Sequence, residues 1–136
     1  MEAYLTFNGN ATEALDFYAK SLGGKILFSQ TFGDSPMGAE TPPDHKNKIM
    51  HAALEARGKQ IMASDMPPGM PFEGYKGFSL CVQAKDVKEG EQLFTTLAQG
   101  GKVIMKYEPT FWSPGFGMLE DRFGVPWMVN VDQPMN

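Results

Sequence analysis

A repeated signature is the feature of this 136-residue chain that most constrains its fold. Phe17 and the run Gly23-Gly24-Lys25 recur as Phe94 and Gly100-Gly101-Lys102, at a constant offset of 77 residues. In both places the glycines follow a segment with the apolar period of a helix and precede a strand-like run. The repeat therefore predicts two copies of one supersecondary unit.

The first copy is predicted to run strand, helix, strand, strand, strand. Asn10 and Glu13 have the spacing of a capping box, which indicates that a helix starts there. The helix is expected to end at Gly23-Gly24, because paired glycines stop helices. The predicted strands are Ala3–Phe7, Lys25–Phe32, Lys48–Ala56 and Gln60–Asp65.

The second copy repeats this order after a segment rich in proline and glycine. Residues 66–76 read as a linker, because neither a helix nor a central strand accepts so many chain breakers. Asp86 and Glu89 again have capping-box spacing. The predicted strands are Phe78–Gln83, Lys102–Tyr107, Phe116–Glu120 and Val125–Val131. We predict an α+β fold, with one domain over residues 1–136 made of two βαβββ modules, 1–65 and 77–131.

The charge and cysteine content disfavour several classes of function. A net charge of −4 without a basic cluster argues against nucleic acid and anionic membranes as partners. No apolar run reaches the length of a membrane span, and no secretory leader is evident, so a cytoplasmic location is expected. The single Cys81 lies in an apolar run and is expected to be a buried core thiol, with a nucleophile as the alternative.

The motifs of the chain resemble those of a known superfamily. They are Tyr4–Asn10, Phe17-Tyr18, Lys48–Ala52, Ile61–Asp65, Phe111-Trp112 and Phe116–Asn130. Together they are similar to the PhnB-like branch of the vicinal-oxygen-chelate (glyoxalase/bleomycin-resistance/dioxygenase) superfamily. The closing Asp-Arg-Phe-Gly turn, with the tryptophan-bearing strand after it, is the most specific part of the match. The resemblance implies curved sheets around a cup-shaped cavity, and a homodimer.

In the enzymes of that superfamily the cup holds a divalent metal bound by His and Glu side chains. By register with this chain, the resemblance puts the expected ligand positions near Ala3, Ser79 and Met128. None of these side chains suits a hard or borderline metal ion. We therefore expect no metal site of the usual kind and no cofactor.

His51 is the main candidate for chemistry. It lies in the middle of a predicted strand, where an ordinary packed histidine, a ligand contact and a metal ligand are all open readings. The metal role is the weakest of the three, because His45 is the only other histidine and falls in a loop. If the protein is an enzyme, His51 is the predicted catalytic base.

Other candidates for ligand contact come from strand ends and one loop. Ser64 and Asp65 end a strand, where Asp65 either stabilises the following turn or points into the cup mouth. The aromatic residues Phe111, Trp112 and Phe116 could line the cavity or its lid, form a subunit interface, or cap the core. The predicted ligand contacts are Phe7, His51, Ser64, Asp65, Phe111, Trp112 and Phe116.

Two functional hypotheses follow from the sequence. In the first, an apolar cup binds a small organic ligand without metal, and the many methionines either form an adaptable wall or simply pack the sheets. In the second, the protein is a glyoxalase- or dioxygenase-like lyase or isomerase that uses His51, with or without a divalent metal. A dimer without any ligand is a third alternative.

Overall fold

Each half of the chain forms a four-stranded sheet with one helix against it in the computed structural model, which describes residues 1–132. The contacts divide the chain into two compact units. Unit 1 is Met1–Glu73, and unit 2 starts at Gly74, inside the segment predicted as a linker. The α+β class and the two similar modules predicted from the repeat are confirmed.

Unit 1 contains one parallel and two antiparallel strand pairs. The order across the sheet is β1-β4-β3-β2, with β1 parallel to β4. The pairs β4-β3 and β3-β2 are antiparallel. The elements are β1 (Ala3–Phe7), α1 (Ala11–Leu22), β2 (Lys25–Thr31), β3 (Ile49–Ala56) and β4 (Lys59–Asp65), with short 3-10 turns at Gly38–Glu40 and Pro43–His45.

Unit 2 repeats the topology with the strand order β5-β8-β7-β6, and β5 is parallel to β8. Its first strand begins two residues later than predicted, at Leu80. The elements are β5 (Leu80–Ala84), α2 (Val87–Ala98), β6 (Lys102–Glu108), β7 (Phe116–Glu120) and β8 (Pro126–Val131). In the described part of the chain, no helix is long and apolar enough to cross a membrane.

In each unit the sheet has one face covered by its helix and one open face. Alternate strand residues such as Leu5, Leu54 and Trp127 are buried on the covered face. Their neighbours along each strand are partly or fully exposed, because side chains alternate between the faces of a sheet. The edge strands β2 and β6 are exposed along almost their whole length.

The repeated glycine pair is explained by two different requirements. Gly23 and Gly100 have φ values of +69° and +76°, a left-handed conformation that glycine adopts without strain. A Cβ atom on Gly24 would meet the backbone oxygen of Glu55, and one on Gly101 would meet that of Glu120. Gly23 is the C-cap of α1, and Gly100 follows Gln99, the C-cap of α2. The second glycine of each pair lets the next strand start against the sheet.

Of the two predicted N-cap side chains, one makes the capping hydrogen bond and one does not. Asp86 accepts a hydrogen bond of 2.8 Å from the backbone N–H of Glu89, which confirms the N-cap of α2. The capping-box prediction at Asn10 is wrong, because its side chain makes no capping hydrogen bond. The buried Asp65 carboxylate takes that role and accepts from the backbone N–H of Ala11 at 2.9 Å.

Candidate functional site

The open face of unit 1 carries a histidine between two aromatic rings. His51 on β3 stacks on Tyr4 of β1, with ring centroids 5.7 Å apart and an interplanar angle of 24°. On its other side lies Phe28 of β2, with centroids 5.9 Å apart. Tyr4 and Phe28 are each about half exposed, so the group faces solvent from the sheet surface.

A hydrogen bond fixes one nitrogen of this histidine. The hydroxyl of Tyr4 lies 3.1 Å from Nδ1 of His51. Among residues 1–132, no hydrogen bond reaches Nε2. If Tyr4 donates, the neutral ring carries its proton on Nε2, and if Nδ1 donates, Nε2 is an acceptor. In either case Nε2 is the nitrogen that remains for a ligand, as donor or as acceptor.

The β4 residues beside His51 on the open face are small or flexible. Ser64 lies on this face of β4, because its strand neighbours Ala63 and Asp65 are buried on the other. Ala63 pairs with Ala52, which brings Ser64 and His51 to adjacent positions on neighbouring strands. Met62 is the next open-face residue of β4, and its Cα partners are Tyr4 and Ala53. The sheet thus brings His51 and Ser64 together, as two of the predicted ligand contacts.

Phe7 and Asp65 are on the opposite face and need a correction. Both side chains are buried, each about 1% exposed. Phe7 packs against Tyr18 of α1, with ring centroids 6.4 Å apart. We therefore remove both from the candidate site, because strand alternation turns them toward the helix.

Asp65 has a structural role instead. One carboxylate oxygen accepts from Ala11 N and the other from Ile49 N, at 2.9 and 2.8 Å. These bonds tie the end of β4 to the start of α1 and the start of β3. Backbone N–H groups at the first turn of a helix have no partner within the helix, which explains why a buried carboxylate is stable there.

The open face of unit 2 contains the single cysteine. Cys81 on β5 is exposed, so the expectation of a buried core thiol is wrong. The reason is again alternation, because Val82 and Ala84 take the covered face of that strand. Gln83 donates to Sγ of Cys81 at 3.6 Å and accepts from Asn130 at 2.9 Å. Partial burial raises the pKa of the Cys81 thiol above its ordinary value.

The three predicted aromatic contacts of unit 2 form one continuous group. Trp112 lies between Phe111 and Phe116, with ring centroids 4.8 and 5.2 Å away. Phe111 is 97% exposed although its loop is well ordered by hydrogen bonds. Thr110 Oγ1 accepts from Ser113 N, and buried Ser113 Oγ donates to Gly115 O at 2.7 Å. The loop therefore holds aromatic surface outward.

Comparison with known proteins assigns the family. A family model described as 3-demethylubiquinone-9 3-methyltransferase matches residues 1–130. The chain belongs to this PhnB-like family. Protein YjdN from Escherichia coli (strain K12) is 38% identical over 140 residues, which cover 96% of this chain and 94% of YjdN.

Solved structures of other proteins have the same fold. Protein PA1353 from Pseudomonas aeruginosa matches with a TM-score of 0.89 and 48% identity over 98% of both chains. The PhnB protein from Bacillus cereus matches with a TM-score of 0.81 and 25% identity, over 97% of this chain and 98% of that one. FosX, a fosfomycin resistance protein from Listeria monocytogenes, has a TM-score of 0.68 at 8% identity, over 98% and 92% of the chains. This last match shows the vicinal-oxygen-chelate fold alone.

The side chains of this PhnB-like chain do not fit the divalent metal of the superfamily. Ala3 shares the alternation of the helix-facing residues of β1, so it does not lie at an open-face position, and Ser79 lies before the first residue of β5. The open-face residues beside them are Tyr4 and Cys81. Within residues 1–132, no group of three or more His, Cys, Asp or Glu residues is placed to hold a metal ion. A tyrosine, a methionine and a thiol are a poor donor set for Zn²⁺ or Mg²⁺.

Tyr4 and Phe28 are site residues that sequence reasoning missed. The signal for each was present in part, since Tyr4 alternates with the apolar Leu5 and Phe28 lies in a predicted strand. Their contact with His51 depends on the order β1-β4-β3-β2, in which β1 lies two strands away from β3. No local pattern reports that order.

Proposed function

We propose that this PhnB-like protein binds a small organic molecule with an apolar ring and an oxygen substituent on the open face of unit 1. The observation that carries the proposal is the placement of His51 between Tyr4 and Phe28, with Nδ1 already hydrogen-bonded. The ligand ring would pack on the two aromatic side chains. Its oxygen would bind Nε2 of His51.

The physical case rests on the exposure of these rings. Tyr4 and Phe28 are 47% and 50% exposed, so a ligand that covers them removes apolar surface from water. The hydrogen bond between Tyr4 and His51 limits the orientations of the imidazole, so binding costs less side-chain entropy. Met62, whose long side chain adapts to different shapes, lies between the two strands that carry Tyr4 and His51.

The binding site is testable with three fragments of similar size. We would titrate acetophenone, phenol and toluene into the ¹³C-labelled protein and follow the imidazole Cε1–H signals of its two histidines and the methyl signal of Met62. We expect acetophenone and phenol to shift the His51 signal more than toluene does, because only they offer an oxygen to Nε2. The substitution His51→Phe keeps a ring but removes the nitrogens, and should abolish the preference for the oxygen-bearing fragments, measured in wild type and variant from the methyl signal of the neighbouring Met62.

His45→Gln is the matched control, because His45 lies in the Pro43–His45 turn and bonds to the backbone oxygen of Met66. That variant should retain the His51 shifts. Equal shifts with toluene, or an unchanged fragment preference in His51→Phe, would contradict the proposed site.

A second candidate function is proton transfer at a carbon beside a carbonyl, with His51 as general base. It is favoured by the Nε2 atom, which has no hydrogen-bond partner among residues 1–132, and by the Tyr4 hydroxyl, which accepts from Nδ1–H in the required tautomer. The carbon-bound proton would move to Nε2, and a solvent deuteron would replace it in D₂O.

Exchange of the acetophenone methyl protons, followed by ¹H NMR, should be faster with wild type than with His51→Phe. Equal rates would exclude this role.

Methyl transfer, which the family description names, is not the function we propose. The turn Asn8–Asn10 before the first helix contains one glycine, Gly9. The turn Lys85–Asp86 before the second helix contains none. A nucleotide-binding α/β fold uses several glycines at such a turn. The open-face residues offer aromatic stacking and an imidazole instead.

We also infer a homodimer, in a cytoplasmic setting. The edge strands β2 and β6 expose runs of apolar side chains on the protein surface, which a second copy would cover. These residues are Ile26 and Leu27 of β2 and Val103 and Ile104 of β6. Exposed Cys81 suits a compartment that keeps thiols reduced.

A further inference from the structure

Four sulfur-bearing side chains form one row across the open face of unit 2. Cys81 of β5 pairs with Met128 of β8, Met128 pairs with Met118 of β7, and Met118 pairs with Met105 of β6. Directly paired residues point to the same face. In the antiparallel pair Met128–Met118 the Cβ atoms lie about 4.5–5.5 Å apart, and the parallel strands that carry Cys81 and Met128 lie about 4.8 Å apart. We call Cys81, Met128, Met118 and Met105 the sulfur row.

The row lies on the open face and not in the core. The buried positions beside its members are Val82, Trp127 and Leu119, on the helix-covered face. Across residues 1–132, no methionine belongs to the buried core of either unit. The side chains of the sulfur row therefore lie outside the core, on a face that an ion or ligand can reach.

The row is particular to unit 2 and does not follow from the repeat. The corresponding positions in unit 1 pair in the same way across β1, β4, β3 and β2. They hold Tyr4, Met62, Ala53 and Phe28, and so contain one sulfur atom. The fold alone therefore does not require sulfur at these places.

We propose that Cys81, Met128 and Met118 bind a monovalent soft metal ion, with the chemistry of Cu(I). Thiolate sulfur binds both Cu(I) and Zn²⁺, but thioether sulfur is a soft donor that suits Cu(I) and is not among the usual ligands of Zn²⁺ or Mg²⁺. Methionine has a flexible side chain, so neighbouring thioethers can turn toward one ion beside the thiol. Met105 extends the row to the exposed edge strand β6.

Binding of Cu(I) would release one proton from the protein. The ion replaces the proton of the Cys81 thiol, which goes to the buffer, and one Cu–S bond forms with the resulting thiolate. Two thioethers complete a three-sulfur site without any change in oxidation state. Gln83 donates to Sγ of Cys81 at 3.6 Å and is held by Asn130, so it would orient the sulfur.

The test is an anaerobic titration of the reduced, metal-free protein with Cu(I), in competition with the chelator bathocuproine disulfonate. We expect one equivalent of Cu(I) per chain, with a thiolate-to-copper absorption band in the near ultraviolet. Cys81→Ser should abolish both. Met128→Leu and Met118→Leu conserve the volume of the side chain and should each weaken binding by about tenfold or more.

Met37→Leu is the control, because Met37 is an exposed loop residue of unit 1 outside the sulfur row. It should bind Cu(I) like wild type. His51→Phe should do so too, which separates this site from the proposed ligand site. Unchanged affinity in both Met128→Leu and Met118→Leu would mean binding by cysteine alone and would overturn the proposal. Failure of wild type to compete with the chelator, or equally tight retention of Zn²⁺, would overturn it as well.

Discussion

At the scale of single residues, two buried carboxylates organise the backbone. Asp65 connects three segments of unit 1 through the N–H groups of Ala11 and Ile49. In unit 2, Asp121 accepts from the backbone of Val125 and from the indole N–H of Trp127 at 2.8 Å. Both are acidic residues that a reader of the sequence would consider for catalysis. Their partners show that they hold turns and strand ends in place.

Asp65→Asn should destabilise the protein by about 2–3 kcal/mol, because an amide forms weaker hydrogen bonds and offers one acceptor to two N–H donors. Urea unfolding followed by circular dichroism measures this change. Asp44→Asn, the same substitution in an exposed 3-10 turn, should change the free energy of unfolding by less than about 0.5 kcal/mol. Equal effects of the two substitutions would contradict the role given to Asp65.

At the scale of elements, the junction between each helix and its next strand contains the same glycine pair in both units. The second glycine of the pair lies against the last residues of β3 in unit 1 and β7 in unit 2. Lys25 and Lys102, the next residues, pair with Glu55 and Glu120 across the strands. The junction thus explains why the signature recurs with its lysine included.

Gly24→Ala should destabilise unit 1 by about 1–3 kcal/mol, because the added Cβ atom would meet the Glu55 oxygen and the Ala56 side chain. Gly23→Asn is the matched control one residue away. Asparagine tolerates the left-handed conformation, and no atom lies within 4 Å of the position of its Cβ, so we expect a loss below about 1 kcal/mol. Thermal melts of both variants measure which substitution destabilises the protein more. A larger loss in Gly23→Asn would refute the close-contact explanation for Gly24.

At the scale of the whole molecule, each of the two units presents an open sheet face and an exposed apolar edge. The ligand site, the sulfur row and the aromatic loop at Phe111 all lie outside the helix-covered cores. A protein that leaves this much apolar surface uncovered is expected to bind a ligand or a second copy. The net charge of −4 makes polyanions poor candidates for that surface.

Light scattering at micromolar concentration should give twice the chain mass of 15.0 kDa. Leu27→Lys and Ile104→Lys, each placed on an exposed edge strand, should shift the protein toward a single chain, because a buried unpaired lysine opposes association. Met37→Lys adds the same charge to an exposed loop and should leave the mass unchanged. A wild-type protein of 15.0 kDa under these conditions would exclude the homodimer.

Local patterns determined most of the secondary structure of this protein. The repeat, the alternation within strands and the glycine stops predicted two βαβββ modules, because each pattern depends on residues close together in the chain. Only the tertiary structure decided which side chains meet across a sheet. Tyr4 and His51 are 47 residues apart in sequence, and Cys81 and Met128 join only through the parallel pairing of β5 with β8. Strand order and register set these contacts, and both depend on long-range packing that short-range periodicity does not encode.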